Sequence, residues 1–327
     1  MAALVREASP LTDRLVVVGA SAGSLEPLQQ LVAGLPGDLP VPVLVVVHLQ
    51  PGSPSALPQV LARAGVLPAA QARTGDALQP GRILVAPPDR HLLVHDSWVR
   101  LSRGPRENGQ RPAIDTLFRS AAAAYGPGVV AVVLSGALDD GAVGAAVVAA
   151  QDGAVLVQDP DEARVSSMPR AALAAVRRAR ALPAAALGGV VADLVRRPFP
   201  TADREPDSPQ DGRAALPDGP TATTDRGVPA AVGCPECQGG MFEAVQEGAV
   251  AYSCHVGHAW SAQTLLDAER QTIEGAIHNA ASKLLDLAAV HRRLAERGDG
   301  DPEGHLRAAR AAEQRARRIE ELATEEP

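Results

Sequence analysis

Residues 14–32 read RLVVVGASAGSLEPLQQLV, and the reading of this stretch decides the fold class. Leu15–Val18 form an apolar run without alternation, as in a strand covered on both faces of a parallel sheet. Gly19-Ala20-Ser21-Ala22-Gly23 then makes a turn, and a helical pattern follows over roughly 24–34. The same unit repeats outward along the chain. Further apolar runs are VLVVV (43–47), ILVA (83–86), VVAVVL (129–134) and AVLV (154–157). Candidate helices lie at roughly 54–65, 113–124, 141–151 and 168–177, and HLLVH with WVRL in 87–102 suggests a small hairpin. Strands alternating with helices predict an α/β fold, a mostly parallel, doubly wound sheet with right-handed crossovers.

Composition narrows the class. The chain has 327 residues, 46% apolar, 21% charged and 2% aromatic, so the core is built from Val, Leu, Ala and Ile. A formal charge of −7 argues against nucleic acid as a partner, and the pairs Arg177-Arg178 and Arg196-Arg197 read as solvated helix ends. No apolar run reaches the ~18 residues of a membrane span, and MAALVREASPLTDR does not resemble a secretion signal. A cytoplasmic protein without membrane insertion is expected. Residues 197–229 hold seven of the 28 prolines and no apolar periodicity, the composition of a flexible linker.

Ser21 sits on the first strand–helix turn, where open α/β sheets place their ligands. Three readings apply: a helix cap, a nucleotide-binding loop, or a G-x-S-x-G nucleophile elbow. G-x-G-x-x-G is not met, and Tyr125 is followed by Gly-Pro-Gly-Val, so no Tyr-x-x-x-Lys is present there for a short-chain dehydrogenase. The second strand ends in VVVHLQPG with His48, and the fourth apolar run ends in VVLSGALDDGAVG with Asp139 and Asp140. Each residue alone has a structural explanation. Together, three strand ends supply the hydroxyl, imidazole and carboxylate of covalent acyl transfer. The chain order Ser–His–Asp differs from the Ser–Asp–His of α/β-hydrolases.

The segment from about 14 to 193 resembles the catalytic domain of chemotaxis protein-glutamate methylesterases, the CheB family. The likeness rests on VVVGASAGSLEPLQQL, VVVHLQPG, GDALQPGRILVAPPDRHLLV, RPAIDTLFRSAA, VVLSGALDDGAVG and VQDPDEARVSSMPRAAL, in family order. The resemblance implies Ser21 as nucleophile, His48 as general base and Asp140, directly before Gly141, as the orienting acid. It implies hydrolysis of glutamate methyl esters on receptor cytoplasmic helices, without a catalytic cofactor, and in some members deamidation of glutamine. A non-catalytic receptor-binding adaptor is the alternative from another class. Ala137 replaces the methionine of the family's GMGxDG, Ala22 a frequent threonine and Ser24 a frequent glycine. Typical members carry a receiver domain before the esterase. Residues 1–14 here are too short for one, so control by a receiver on this chain is not expected.

All three cysteines fall in Cys234-x2-Cys237-x16-Cys254-x3-His258. Two closely spaced pairs of soft and borderline ligands suit a closed, structural zinc site, with His258 preferred to His255, which adjoins Cys254. MFEAV and AVAYS resemble strands of a zinc ribbon. Beyond it, Ile273, Ile277, Ala280, Leu284, Leu287, His291 and Leu294 form a heptad seam, GDGD (298–301) breaks it, and Asp301-Pro302 starts a second helix. The helices form a hairpin that folds back, self-associates or takes a regulatory partner. The expected organisation is 13–195 catalytic, 196–231 linker, 232–260 zinc-ribbon-like and 261–327 helical hairpin.

Overall fold

The computed structural model describes residues 13–48, 55–197, 227–246, 249–298 and 300–324. The chain divides into two compact units, Met1–Leu265 and Leu266–Pro327. The first is built on a seven-stranded sheet of β1 (Leu15–Ala20), β2 (Val43–Val47), β3 (Ala69–Gln71), β4 (Ile83–Val85), β7 (Val129–Val133), β8 (Ala154–Gln158) and β9 (Arg180–Leu182). Between β4 and β7, β5 (His91–His95) and β6 (Trp98–Ser102) form the antiparallel hairpin suggested by the sequence. The sheet order is β3-β4-β2-β1-β7-β8-β9, with every neighbouring pair parallel.

Alternate residues of each central strand enter different cores, which is why the apolar runs do not alternate with polar residues. Leu15, Val17, Val129, Ala131 and Val133 face α3 (Ile114–Tyr125), α4 (Ala142–Ala150) and α5 (Ser167–Ala175). Val16, Val18, Val43, Val45 and Val132 face α1 (Leu25–Ala33), α2 (Leu57–Ala64) and α6 (Ala184–Arg196). The sheet is doubly wound. The structure adds β3, β9 and α6 to the elements read from sequence. Both strands are three residues long and partly exposed, so no apolar run marks them.

A second sheet is antiparallel: β10 (Val228–Gly233), β11 (Gly240–Gln246), β12 (Ala249–Cys254) and β13 (Ala259–Ser261), paired in that order. MFEAV and AVAYS lie in β11 and β12. Strand β10 begins inside the segment read as linker, because Val228–Ala230 pair with β11. The rest of that segment, 198–226, lies outside the described residues, as do residues 1–12 and 49–54.

Helix α7 (Ala262–Arg297) enters the second unit, where it pairs with α8 (Pro302–Thr324). The buried positions of α7 include Ala281 and Ala288, one residue on from the expected Ala280 and Leu287. Ala288 packs with Ala309 and Ala312 of α8. Small residues at a contact let two helices approach closely, so alanine takes the inner face and Leu287 stays outside. Arg292 pairs with Glu313, and the His291 and His305 rings meet through their Nδ1 atoms at 2.9 Å. Among the described residues no helix is long and apolar enough to cross a membrane.

Candidate active site

Strands β2, β1 and β7 are neighbours, and the chain leaves β1 toward one edge of the sheet and returns at β7 on its other side. Such a reversal opens a crevice at the C-terminal strand ends. Ser21 follows β1, its N–H donating to Ser135 O at 3.0 Å. The Ser135 hydroxyl donates to Ala22 O at 2.8 Å, which ties the serine turn to the end of β7. His48 extends β2, its N–H donating to Ala20 O at 3.3 Å. Gly136 lies against Ser21: a Cβ there would come within 2.8 Å of the serine Cβ and 2.0 Å of Met168 Sδ. Only a residue without a side chain lets this turn pass so close.

Ser21, His48 and Asp140 come together. His48 Nδ1 lies 3.1 Å from Ser21 Oγ, and Nε2 lies 2.8 Å from Asp140 Oδ2. A ring flip would set carbon atoms against both partners, so the hydrogen bonds themselves define the orientation. With Asp140 accepting, Nε2 carries the proton and Nδ1 is free to accept from the serine. The two nitrogens exchange the places they hold in the chymotrypsin-type triad, with the same roles available.

Asp140 is buried and well supplied with donors. Oδ2 also accepts from Ile114 N at 2.8 Å, and Oδ1 from Asp115 N and Asn108 Nδ2, each at 3.1 Å. Burial alone raises its pKa, but the hydrogen bond and charge interaction with His48 and the α3 N–H groups outweigh this and hold it below the ordinary value. Asp115 moves the other way: burial and then the nearby Asp140 push it well up, against Arg119 and the Gly144 N–H. The start of α3 reaches Asp140 because it crosses β1 at Gly19, where a Cβ would sit 2.2 Å from Ile114 Cγ2.

A cleft of about 760 Å3 opens beside Ser21 and His48, lined also by Gln158, Glu162 and Arg164. Among the described residues the backbone N–H groups of Ala22 and Ala137 have no acceptor, which leaves both available to a developing oxyanion.

Asp139, the neighbouring carboxylate, points elsewhere. Its Oδ1 accepts from Ser261 Oγ at 2.8 Å and Thr264 Oγ1 at 2.5 Å. Sequence reading did not single out Asn108, Asp115, Ser261 or Thr264. Asn108-Gly109 reads only as a turn, and Asp115 only as an acidic residue at a helix start.

The four Cys/His side chains also converge, their ligand atoms all within 4.8 Å of one another. Cys234 Sγ and Cys254 Sγ lie 3.6 and 3.5 Å from His258 Nδ1, and Cys237 Sγ lies 3.6 Å from Cys254 Sγ. These separations match the edges of a tetrahedron, about 3.5–3.8 Å for Zn–S near 2.3 and Zn–N near 2.0–2.1 Å. The donor set fits zinc. His255 instead stacks edge-on against Phe242.

The family model described as CheB methylesterase matches residues 16–191. The chain belongs to the CheB methylesterase family. The protein-glutamate methylesterase/protein-glutamine glutaminase 3 of Anaeromyxobacter dehalogenans is 44% identical over 164 residues, 50% of this chain and 48% of that protein. A similarly named protein of a Nocardioides species is 39% identical over 192 residues, 58% and 52% of the two chains. The chain thus spans about half the length of the curated relatives it matches. The crystal structure of the Thermotoga maritima CheB methylesterase catalytic domain superimposes with a TM-score of 0.53 at 29% identity. That match covers 55% of this chain and 98% of the other, so the parallel-sheet part is a complete CheB catalytic fold.

Proposed function

We propose that this chain is a protein-glutamate methylesterase that hydrolyses glutamate γ-methyl esters on the cytoplasmic helices of chemotaxis-type receptors. The observation that carries the reading is the single imidazole, His48, within hydrogen-bond reach of both Ser21 Oγ and Asp140 Oδ2 at the crevice edge. His48 Nδ1 takes the serine proton as Oγ attacks the ester carbonyl carbon. The oxyanion is held by N–H groups such as those of Ala22 and Ala137, each worth about 3–4 kcal/mol in such sites. Collapse breaks the bond to the methoxy oxygen, which leaves as methanol with the proton from His48. Water then gives a proton to His48 and attacks the γ-glutamyl ester on Ser21, releasing the glutamate carboxylate and restoring the serine hydroxyl. Asp140 holds the tautomer and balances the imidazolium.

The reaction needs no cofactor. Zinc held by Cys234, Cys237, Cys254 and His258 would fasten the second sheet, a site closed by four protein ligands and therefore structural. The expected boundaries, catalytic 13–195 and zinc-ribbon-like 232–260, follow this division of labour, with the helical hairpin left for self-association or a regulatory partner. A cytoplasmic location follows from the proposed substrate.

Methanol release from methylated receptor membranes tests the reading. Wild type should release methanol and Ser21→Ala should not, with its fold intact by circular dichroism. Undiminished release from Ser21→Ala would overturn the assignment. The relatives also carry glutaminase in their names, and the same steps applied to a glutamine side chain would release ammonia, measured on unmodified receptor.

A further inference from the structure

The Cys/His sheet is seated on the loop that supports the triad carboxylate. Strand β13 bridges in parallel to Glu107, the Asn108 N–H donates to Ala259 O at 2.8 Å, and the Ala259 N–H donates to Arg106 O at 3.3 Å. Glu107 is in turn fixed by Arg119 of α3. The central member is Asn108, a buried amide with all its groups engaged. Its Oδ1 accepts from the Ser261 N–H at 2.8 Å, while Nδ2 donates to Asp140 Oδ1 and Asp115 Oδ2, both at 3.1 Å. A backbone N–H can only donate, so Oδ1 must face Ser261, and Nδ2 then faces the carboxylates. The Ser261 contact thereby sets which end of the amide meets Asp140.

Two more links lead toward the same place. Ser261 and Thr264 hydroxyls hold Asp139, the residue before Asp140, in a turn where Leu138 and Gly141 both have positive φ. In the other direction, the buried Trp260 ring packs on Gly109, and its N–H has no hydrogen-bond partner among the described residues. A continuous path therefore runs from the ligands Cys254 and His258 along β13 through Ser261 and Asn108 to Asp140. Among the described residues, the cleft beside Ser21 has no residue of the Cys/His sheet in its lining. Among the described residues, the docked element supports the site from behind.

We infer that the Cys/His sheet is an internal brace of the esterase, and that Asn108 is a positioning residue through which zinc occupancy sets the geometry of Asp140. The inference rests on the esterase reading for its catalytic consequence, and on contacts alone for its structural one. When the brace is lost, Asn108 is released from Ser261 and Ala259, and Asp140 loses a donor whose place water can take.

The test uses the full zinc-loaded chain. Ser261→Ala with Thr264→Val removes both hydroxyls and leaves the four ligands untouched, and retained zinc content shows that the second sheet is formed. With a glutamate methyl ester peptide, kcat should fall about tenfold with KM little changed, since slight misplacement of a catalytic group costs that much or more. Ser261 with Thr264→Ser should restore it. Asn108→Ala, which removes the separate amide link between the Ser261 N–H and Asp140, should produce a loss of similar kind. Hydrogen exchange should rise at amides 106–115 and 139–141 in the double variant, and again when zinc is stripped with a chelator. Unchanged kcat together with unchanged exchange would overturn the brace. If the wild type neither hydrolyses the ester nor labels at Ser21 with a phosphonate probe, the esterase reading fails by itself. The exchange measurement then decides the brace alone: protection that survives chelation rejects it, and protection that is lost supports it.

Discussion

Strand β1 buries all six of its residues, whereas β10 buries none of its six. The parallel sheet lies between two apolar cores, in which side chains such as Phe118, Leu44 and Val132 are fully covered. The Cys/His sheet exposes Val228, Val232, Val245 and Val250, and its buried side chains are chiefly Cys234, Cys254, Met241 and Trp260. Apolar burial is worth about 25 cal/mol per Å2, so the first region can order its own backbone. The second has too few buried apolar groups to do so, and a bound ion would take the place of a core. The lesson is that similar strands in one chain can be held by different forces, and that a reagent which dissolves one should spare the other.

The largest effect should come from the ion. Stripping zinc, or substituting Cys254→Ser, should remove apparent metal-binding energy on the order of 10 kcal/mol. The signals of β10–β13 should be lost by NMR while the parallel sheet keeps a cooperative thermal transition. A single transition lost as a whole would erase the distinction between the regions. Next in size is Asp140→Asn, which should cost about 10^4 in kcat by admitting the wrong imidazole tautomer. Steady-state methanol release checks it, with zinc content as the control. Phe118→Ala follows, in the core shared by α3, α4 and the sheet. It should cost about 3–5 kcal/mol in denaturant unfolding and leave zinc affinity unchanged.

Smaller again is the pH dependence. The pKa of Asp140 is depressed in the folded chain, so its contribution is present above the unfolded carboxylate value and is lost as pH falls through the folded one. Acid unfolding of the wild type should show this loss below the ordinary carboxylate range, and Asp140→Asn should lack it. The smallest effect is expected of Val245→Ala, whose side chain is 68% exposed. It should stay within about 0.5 kcal/mol by thermal melting. A larger loss would mean that the second sheet holds itself by apolar packing after all.

Much of this was legible in local pattern. The runs 15–18, 43–47, 129–134 and 154–157 announced strands covered on both faces, and those strands are β1, β2, β7 and β8. Ser21, His48 and Asp140 stood out because each follows such a run at a turn. The heptad period of α7 was readable, and Ile277, Leu284, His291 and Leu294 are half-buried, but in place of Ala280 and Leu287 the neighbouring Ala281 and Ala288 are buried, with Ala288 packed on α8, which period alone cannot express. Asn108, Ser261 and Thr264 gave no signal, since each makes its decisive contact with residues distant in the chain.

The sequence by itself determined the type of each element, the turn chemistry at Ser21, and the spacing of four metal-ligating side chains, because these depend on neighbours a few residues apart. Only the tertiary structure decided that β7 returns beside β1 and brings Asp140 to His48, 92 positions away. It also decided that Ser261 reaches Asn108 across 153 positions. Such adjacencies are set by how helices cover the two faces of the sheet and by which buried polar groups find partners there. That is a property of the packed whole, and short stretches of chain do not carry it.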